Sequence, residues 1–218
     1  MQDYNTLSTL EEIKAISFFS TSLSTKESID EVLWDITKNV IHRLGLIDCV
    51  IYTYDHDKLE LTQHAAYGVK NPVNDRIYNQ IKLDLGEGIV GSVAISKKAE
   101  IIKNTSRDSR YVVDDASRLS EICVPILIND CLFGVIDSEH TEEAFFTEKH
   151  LYLLNIIASL CGQRIKELRF KSKKPFTKAI EYFKKLEELM RFMKLYLNAN
   201  LSLSSVAEIL GISACYLS

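Results

Sequence analysis

The chain has 218 residues, 46% apolar and 26% charged, with 26 basic against 30 acidic residues and a formal net charge of −4. This is ordinary globular composition, enough for one domain of about 150 residues plus an appendage. No apolar run approaches the length that spans a bilayer, and Met1-Gln2-Asp3-Tyr4 is neither basic nor followed by a signal-like core, so no membrane partner is expected and the expected location is the cytoplasm. The five cysteines (Cys49, Cys123, Cys131, Cys161, Cys215) are odd in number, scattered and without C-x-x-C spacing. They indicate neither a disulfide framework nor a zinc site, and most read as small buried hydrophobes.

Leu10, Ile13, Ile16 and Phe19 open the chain at helical spacing. Ser24-Thr25-Lys26-Glu27 has the form of a capping box, and Ile29, Val32, Leu33, Ile36, Val40, Ile41 and Leu44 follow as the apolar stripe of a second helix that Gly45 ends. Two β-rich runs, 47–55 and 58–66, flank His56-Asp57 as a two-residue turn, and Asn71-Pro72-Val73-Asn74 breaks the chain. Gly86 to Gly91 leads into a short helix through Ser96, then a strand at 100–103 and an irregular polar loop through Ser117. Strands at 122–128 and 131–137 meet around Asn129-Asp130. A long helix begins near Thr147 with Leu151, Leu154, Ile157, Ala158, Cys161 and Ile165 on its buried face, and Pro175 is a natural hinge beyond it. The order predicts an α+β domain with a largely antiparallel sheet.

Charge is divided along the chain. Between Gln163 and Lys194 there are eleven basic residues against four acidic ones, while the residues before this stretch carry 15 basic against 25 acidic. A basic rod beside a DNA-binding head could lie along phosphates, or could be a solvated helix face. After it, Ala207, Gly211 and Ser213 supply the small crossing residue, the turn residue and the N-cap that a helix-turn-helix needs. The run Leu201 to Ser218 resembles the first helix-turn-helix of AraC-type transcription regulators. Ser213 and Tyr216 are its candidate DNA-binding residues, and the family's second motif does not follow within the sequence. A fragment with half of the DNA-reading module is expected to bind DNA weakly or not at all.

The middle of the chain resembles the GAF domain. The resemblance rests on Ala66-Tyr67-Gly68, Gly86-Glu87-Gly88-Ile89-Val90-Gly91, Asp108-Ser109-Arg110-Tyr111, Glu121-Ile122-Cys123-Val124-Pro125-Ile126, Gly134-Val135-Ile136-Asp137-Ser138-Glu139-His140 and Phe145-Phe146-Thr147. It implies a GAF-like antiparallel sheet flanked by N- and C-terminal helices, a small-molecule pocket on the other face, and a homodimer through the terminal helices. The expected organisation is a helical segment at 1–16, a sensor domain at 17–166, a basic helical connector at 167–187 and a partial helix-turn-helix at 188–218.

Gly86, Gly88 and Gly91 lack the lysine and Ser/Thr of a phosphate-binding loop and serve tight turning instead. The Asn-Lys-x-x-Phe-Asp-Glu signature of cyclic-nucleotide-binding GAF domains is missing, as is a bilin-anchoring cysteine. Ser120-Glu121-Ile122 and Gly134 to Glu139 resemble segments of free methionine-(R)-sulfoxide reductase, itself a GAF domain. That resemblance implies carboxylates holding an amino-acid ammonium, but Ser109 to Asp114 offers no thiol where the reductase needs cysteines. No catalytic residue is therefore expected, the histidines lack metal-ligand spacing, and no cofactor is indicated.

The candidate ligand-binding residues are Tyr67, Tyr111, Glu121, Cys123, Asp137 and Glu139, suited to a cationic or amine-bearing small molecule. A two-residue turn at Asn129-Asp130 would set Ile122 opposite Asp137. Glu121 and Asp137 would then face opposite sides of the sheet unless a bulge intervenes. Two functions remain: a ligand-responsive transcription regulator, and a stand-alone GAF enzyme or redox protein related to the reductase.

Overall fold

A computed structural model describes residues 9–68, 76–77, 79–114 and 116–172. The helix-turn-helix with Ser213 and Tyr216, the Pro175 hinge and most of the basic connector lie outside the described residues. The chain divides into two compact units, one of Met1–Ile128 with Leu132–Leu168 and one of Asn129–Cys131 with Arg169–Ser218. Only the first is described at length.

Helices α1 (Thr9–Ser24) and α2 (Ile29–Leu44) precede strands β1 (Cys49–Asp55), β2 (Glu60–Tyr67) and β3 (Lys82–Asp84). Then come α3 (Gly88–Ser96), β4 (Glu100–Ile102), a 3-10 turn (Thr105–Arg107), β5 (Ser120–Ile128), β6 (Cys131–His140) and α4 (Glu148–Ser172). The six strands form one sheet in the order β3-β2-β1-β6-β5-β4. The expected α+β architecture, with an antiparallel sheet between terminal helices and a second face, is the one observed.

One face carries the larger core. Phe19 and Leu23 of α1, Val32, Leu33, Ile36 and Val40 of α2, and Leu154, Ile157, Cys161 and Ile165 of α4 pack there on Ile51, Ile122, Val124, Ile126 and Ile136. Burying each such side chain contributes ~1.5–3 kcal/mol, so this layer fixes the sheet in place. The opposite face is covered by α3, with Ile89, Val90 and Val93 packed with Val50, Tyr52, Leu83, Cys123 and Val135 of the sheet. Helix α1 runs unbroken through the boundary expected at residue 16, and Ala15 and Phe19 share one core.

Two local expectations are corrected. The capping box belongs to Ser28 and Glu31, not Ser24 and Glu27: the Ser28 hydroxyl accepts from Glu31 N at 3.2 Å, and the Glu31 carboxylate accepts from Glu27 N at 2.8 Å. The sequence spells Ser-x-x-Glu twice in succession, and Ser24 instead closes α1 by donating to the Thr21 carbonyl. The β1–β2 turn is four residues, not two. Asp55 pairs with Glu60, its carboxylate accepts from the amides of Asp57 and Lys58, and Leu59 takes a left-handed φ of 56°. The Asn129-Asp130 turn is as expected, both residues having positive φ (49° and 60°), the requirement of a tight I′ hairpin.

Candidate functional site

Side-chain alternation puts Glu121 and Cys123 of β5 on the face opposite the terminal helices, because Ile122 and Val124 fill the helical core. On β6 the alternation slips by one residue. Leu132 faces α3 and Phe133 the helices, whereas beyond Gly134 it is Val135 that faces α3 and Ile136 that faces the helices. Gly134 lies against the β1 backbone, where an added Cβ would meet the Tyr52 carbonyl oxygen at 2.1 Å. The slip turns Asp137 and Glu139 to the same side as Glu121, which a regular hairpin register forbids. A similar irregularity lies between Ile51 and Tyr52, opposite His64, and turns Gln63 inward.

Of these residues, Glu121, Asp137 and Glu139 line a narrow cavity of about 20 Å³, open to solvent at its mouth. Its apolar walls come from Ile81, Leu83, Ile89, Val90 and Val112, and its polar surface from Tyr52, Asp114, Glu121, Asp137 and Glu139. Among the described residues, no lysine, arginine or histidine lines it. The three innermost carboxylates are almost wholly removed from water, with Glu121 4%, Asp137 7% and Glu139 6% exposed.

Burial and mutual repulsion determine their protonation. Burial pushes Glu121 up to about 7, opposed by the Cys123 thiol, which donates to it at 3.1 Å. Burial, then the Glu121 charge, pushes Glu139 up to about 8, against a hydrogen bond from Tyr111 and the attraction of Arg118. Asp137 is raised well above the ordinary carboxylate range by burial and by the charges of Glu121, Glu139 and Asp48. Two like charges about 4 Å apart repel by roughly 4 kcal/mol at an effective dielectric of 20, so the site retains protons near neutrality.

The supporting groups come from separate elements. Asp48, just before β1, accepts from Glu139 N at 2.7 Å and holds the Ser138 hydroxyl through its own carbonyl, fixing the end of β6. The Tyr111 hydroxyl accepts from Arg118 N at 2.9 Å. Buried Gln63 donates to Tyr52 Oη at 2.9 Å and to Asp114 at 2.6 Å, and its Oε1 accepts from Ile81 N at 3.0 Å. It therefore ties β1, the approach to β3 and the β4–β5 loop to one point.

Of the sequence candidates, the structure brings Glu121, Asp137 and Glu139 together at the cavity. Cys123 stands behind them, donating also to Asp137 at 3.3 Å, and Tyr111 acts on Glu139. Tyr67 is elsewhere: at the far end of β2, its hydroxyl is 3.2 Å from His42 Nε2 of α2, and it does not line the cavity. Tyr52, Gln63, Asp114 and Asp48 were not anticipated. Gln63 alone left a trace, as an amide between Leu61 and Ala65 on the buried positions of β2.

The donor atoms of Glu121, Cys123 and Asp137 lie within 4.8 Å of one another, a spacing open to a metal ion. The thiol opposes that use, since burial and the flanking carboxylates push its pKa well up and it serves as a hydrogen-bond donor. Cys49 and Cys161 are free and buried in the helical core, while Cys131 is disulfide-bonded, a pairing its spacing did not indicate. No helix among the described residues is long and apolar enough to cross a membrane.

Comparison with known proteins gives this geometry a family. The chain is 22% identical to a probable 3′,5′-cyclic phosphodiesterase, pde-5, of Caenorhabditis elegans, over 65% of this chain but only 23% of that protein. Among solved structures it resembles the free methionine-R-sulfoxide reductase of Neisseria meningitidis in complex with its substrate (TM-score 0.67, 16% identity, 76% of this chain and 96% of that one). It also resembles the GAF domain of a phosphoenolpyruvate-protein phosphotransferase from Coxiella burnetii (TM-score 0.68, 16% identity, 76% and 98%). At such identities these likenesses speak to fold alone. The GAF domain model matches residues 26–166, most of the chain and all of the cavity, and the chain therefore belongs to the GAF domain family, a family of small-molecule-sensing domains.

Proposed function

We propose that this GAF domain senses a cationic, amine-bearing small molecule and regulates transcription through the segment that follows it. The observation that carries the reading is the set of three buried carboxylates, Glu121, Asp137 and Glu139, in an apolar cavity that no cationic side chain lines among the described residues. An ammonium seated there would supply the missing positive charge, while Ile81, Leu83, Ile89 and Val112 would cover an alkyl body. Output would pass through the terminal helices of a homodimer and the basic rod to the AraC-like motif with Ser213 and Tyr216.

The test is melting of the purified protein against a panel of small amines and matched neutral alcohols. A ligand at a hundred times its dissociation constant adds about 2.7 kcal/mol of stability. Amines should stabilise the wild type and do so measurably less in Glu121→Gln, while the alcohols should do nothing. Equal effects of amines and alcohols would exclude a carboxylate-centred site. For the output, a gel shift of the full-length gene product with promoter DNA should respond to the stabilising amine. The reading as a reductase-like enzyme is disfavoured because Val112 and Asp114, not cysteines, bring the β4–β5 loop to the cavity.

A further inference from the structure

We propose that the pocket exchanges protons for its cation: the carboxylate cluster holds protons when the cavity is without ligand and releases them to solvent when an ammonium enters. This rests on the amine-site reading above and adds its regulation, since occupancy would then rise and fall with pH at fixed ligand concentration.

The geometry leaves few alternatives for the charge. Glu121 reaches the cavity from β5, and Asp137 and Glu139 from β6, the adjacent strand. Asp48 adds a further negative group from the connection before β1. The β4–β5 connection contributes Asp114 at the lining and the charge of Asp108 acting on Glu121. Against these, Arg118 attracts Glu139, and Tyr111 and Cys123 give neutral hydrogen bonds. Tyr52 of β1 is neutral, and the lining residues of α3 and β3 (Gly88, Ile89, Val90 and Leu83) carry no ionisable side chain.

Three carboxylates so placed cannot all ionise together without a counter-ion, and the raised pKa values of Glu121 (about 7) and Glu139 (about 8) agree with this. When R–NH3+ enters, a carboxyl O–H bond breaks, the oxygen keeps the electron pair and accepts a hydrogen bond from the ammonium, and the proton passes to buffer. Charge balances at one proton out for one cation in, and no oxidant or reductant takes part.

The experiment titrates n-butylammonium into the full chain by calorimetry from about pH 6 to about pH 9. Across that range the probe stays charged, its amine resembling a lysine side chain with a pKa near ~10.4. The dissociation constant should fall by up to about tenfold per pH unit through pH 7–8 and level off above. At about pH 7 the binding heat should differ between phosphate and MOPS buffers, neither of which is a primary ammonium, by close to the difference in their proton ionisation heats. Glu139→Gln and Glu121→Gln, each checked for native circular dichroism, should flatten the slope. Binding that is independent of pH and buffer overturns proton exchange and leaves the amine site standing. Absence of binding at every pH overturns both. A full slope retained in both variants places the protons elsewhere and overturns the proposal.

Discussion

Gly162→Ala on α4 opposes two effects of known size. Alanine is favoured over glycine in a helix interior by ~0.8–1.0 kcal/mol, so local propensity alone predicts a stabler protein. In the fold, a Cβ at Gly162 would lie 2.3 Å from the Leu127 carbonyl oxygen on β5, more than an ångström inside ordinary contact. That oxygen is backbone in β5, a strand held between β6 and β4, so the helix must retreat instead. Retreat loosens Leu154, Ile157, Ala158, Cys161 and Ile165, all of which are buried against the sheet. Overpacking of this kind costs ~1–3 kcal/mol, occasionally more, and rigid neighbours place this site toward the upper end. The net expectation is a loss of ~1–3 kcal/mol. At ~2–4 °C per kcal/mol for a domain of this size, the melting temperature falls by roughly 2–12 °C. Thermal and urea unfolding, followed by circular dichroism, measure it. An alanine variant as stable as the wild type, or stabler, would show that α4 does not depend on backbone contact with β5.

The carboxylates give the protein without ligand an unusual pH response. Their folded-state pKa values are raised, so their contribution is fully favourable below the unfolded values near 4 and is lost as pH rises through about 7 and 8. Melting temperature should decline from about pH 5.5 to about pH 9, and less steeply in Glu139→Gln; a rise over that range would contradict the protonated site. Ser28→Ala should cost ~1 kcal/mol by urea unfolding, as loss of an N-cap does, and Ser24→Ala less, because only Ser28 caps α2. Gln63→Ala should cost ~2–4 kcal/mol, since it leaves Ile81 N and Tyr52 Oη without their buried partner; a near-neutral result would deny Gln63 its joining role.

Long periodic elements were legible because many side chains agree on one answer. The stripe from Ile29 to Leu44 and the series Leu154, Ile157, Cys161 and Ile165 each repeat a single period, and both proved to be core. Short-range punctuation was less decisive. Two consecutive Ser-x-x-Glu patterns compete at the start of α2, and hydrogen bonding in the folded chain selects the second. The β1–β2 loop takes four residues because Asp55 builds a turn from its own side chain, which no dipeptide rule describes. The carboxylates were named from the sequence, but their convergence was not, because it depends on an irregularity at Gly134 that shifts parity without altering residue type. Tyr67 was misplaced for the converse reason: a phenol at a strand end has no periodicity to assign it a face, and His42 claims it. Asp48 and Gln63 act through contacts distant in sequence, which single-strand patterns do not record.

β6 is a party wall between two rooms. Asp137 and Glu139 furnish one of them, and Ile136, the residue just before Asp137, is plastered into the other alongside α1, α2 and α4. A tenant in the first room that tugs on either acid therefore tugs on masonry held in common, so news of its arrival needs no separate corridor to reach the helices.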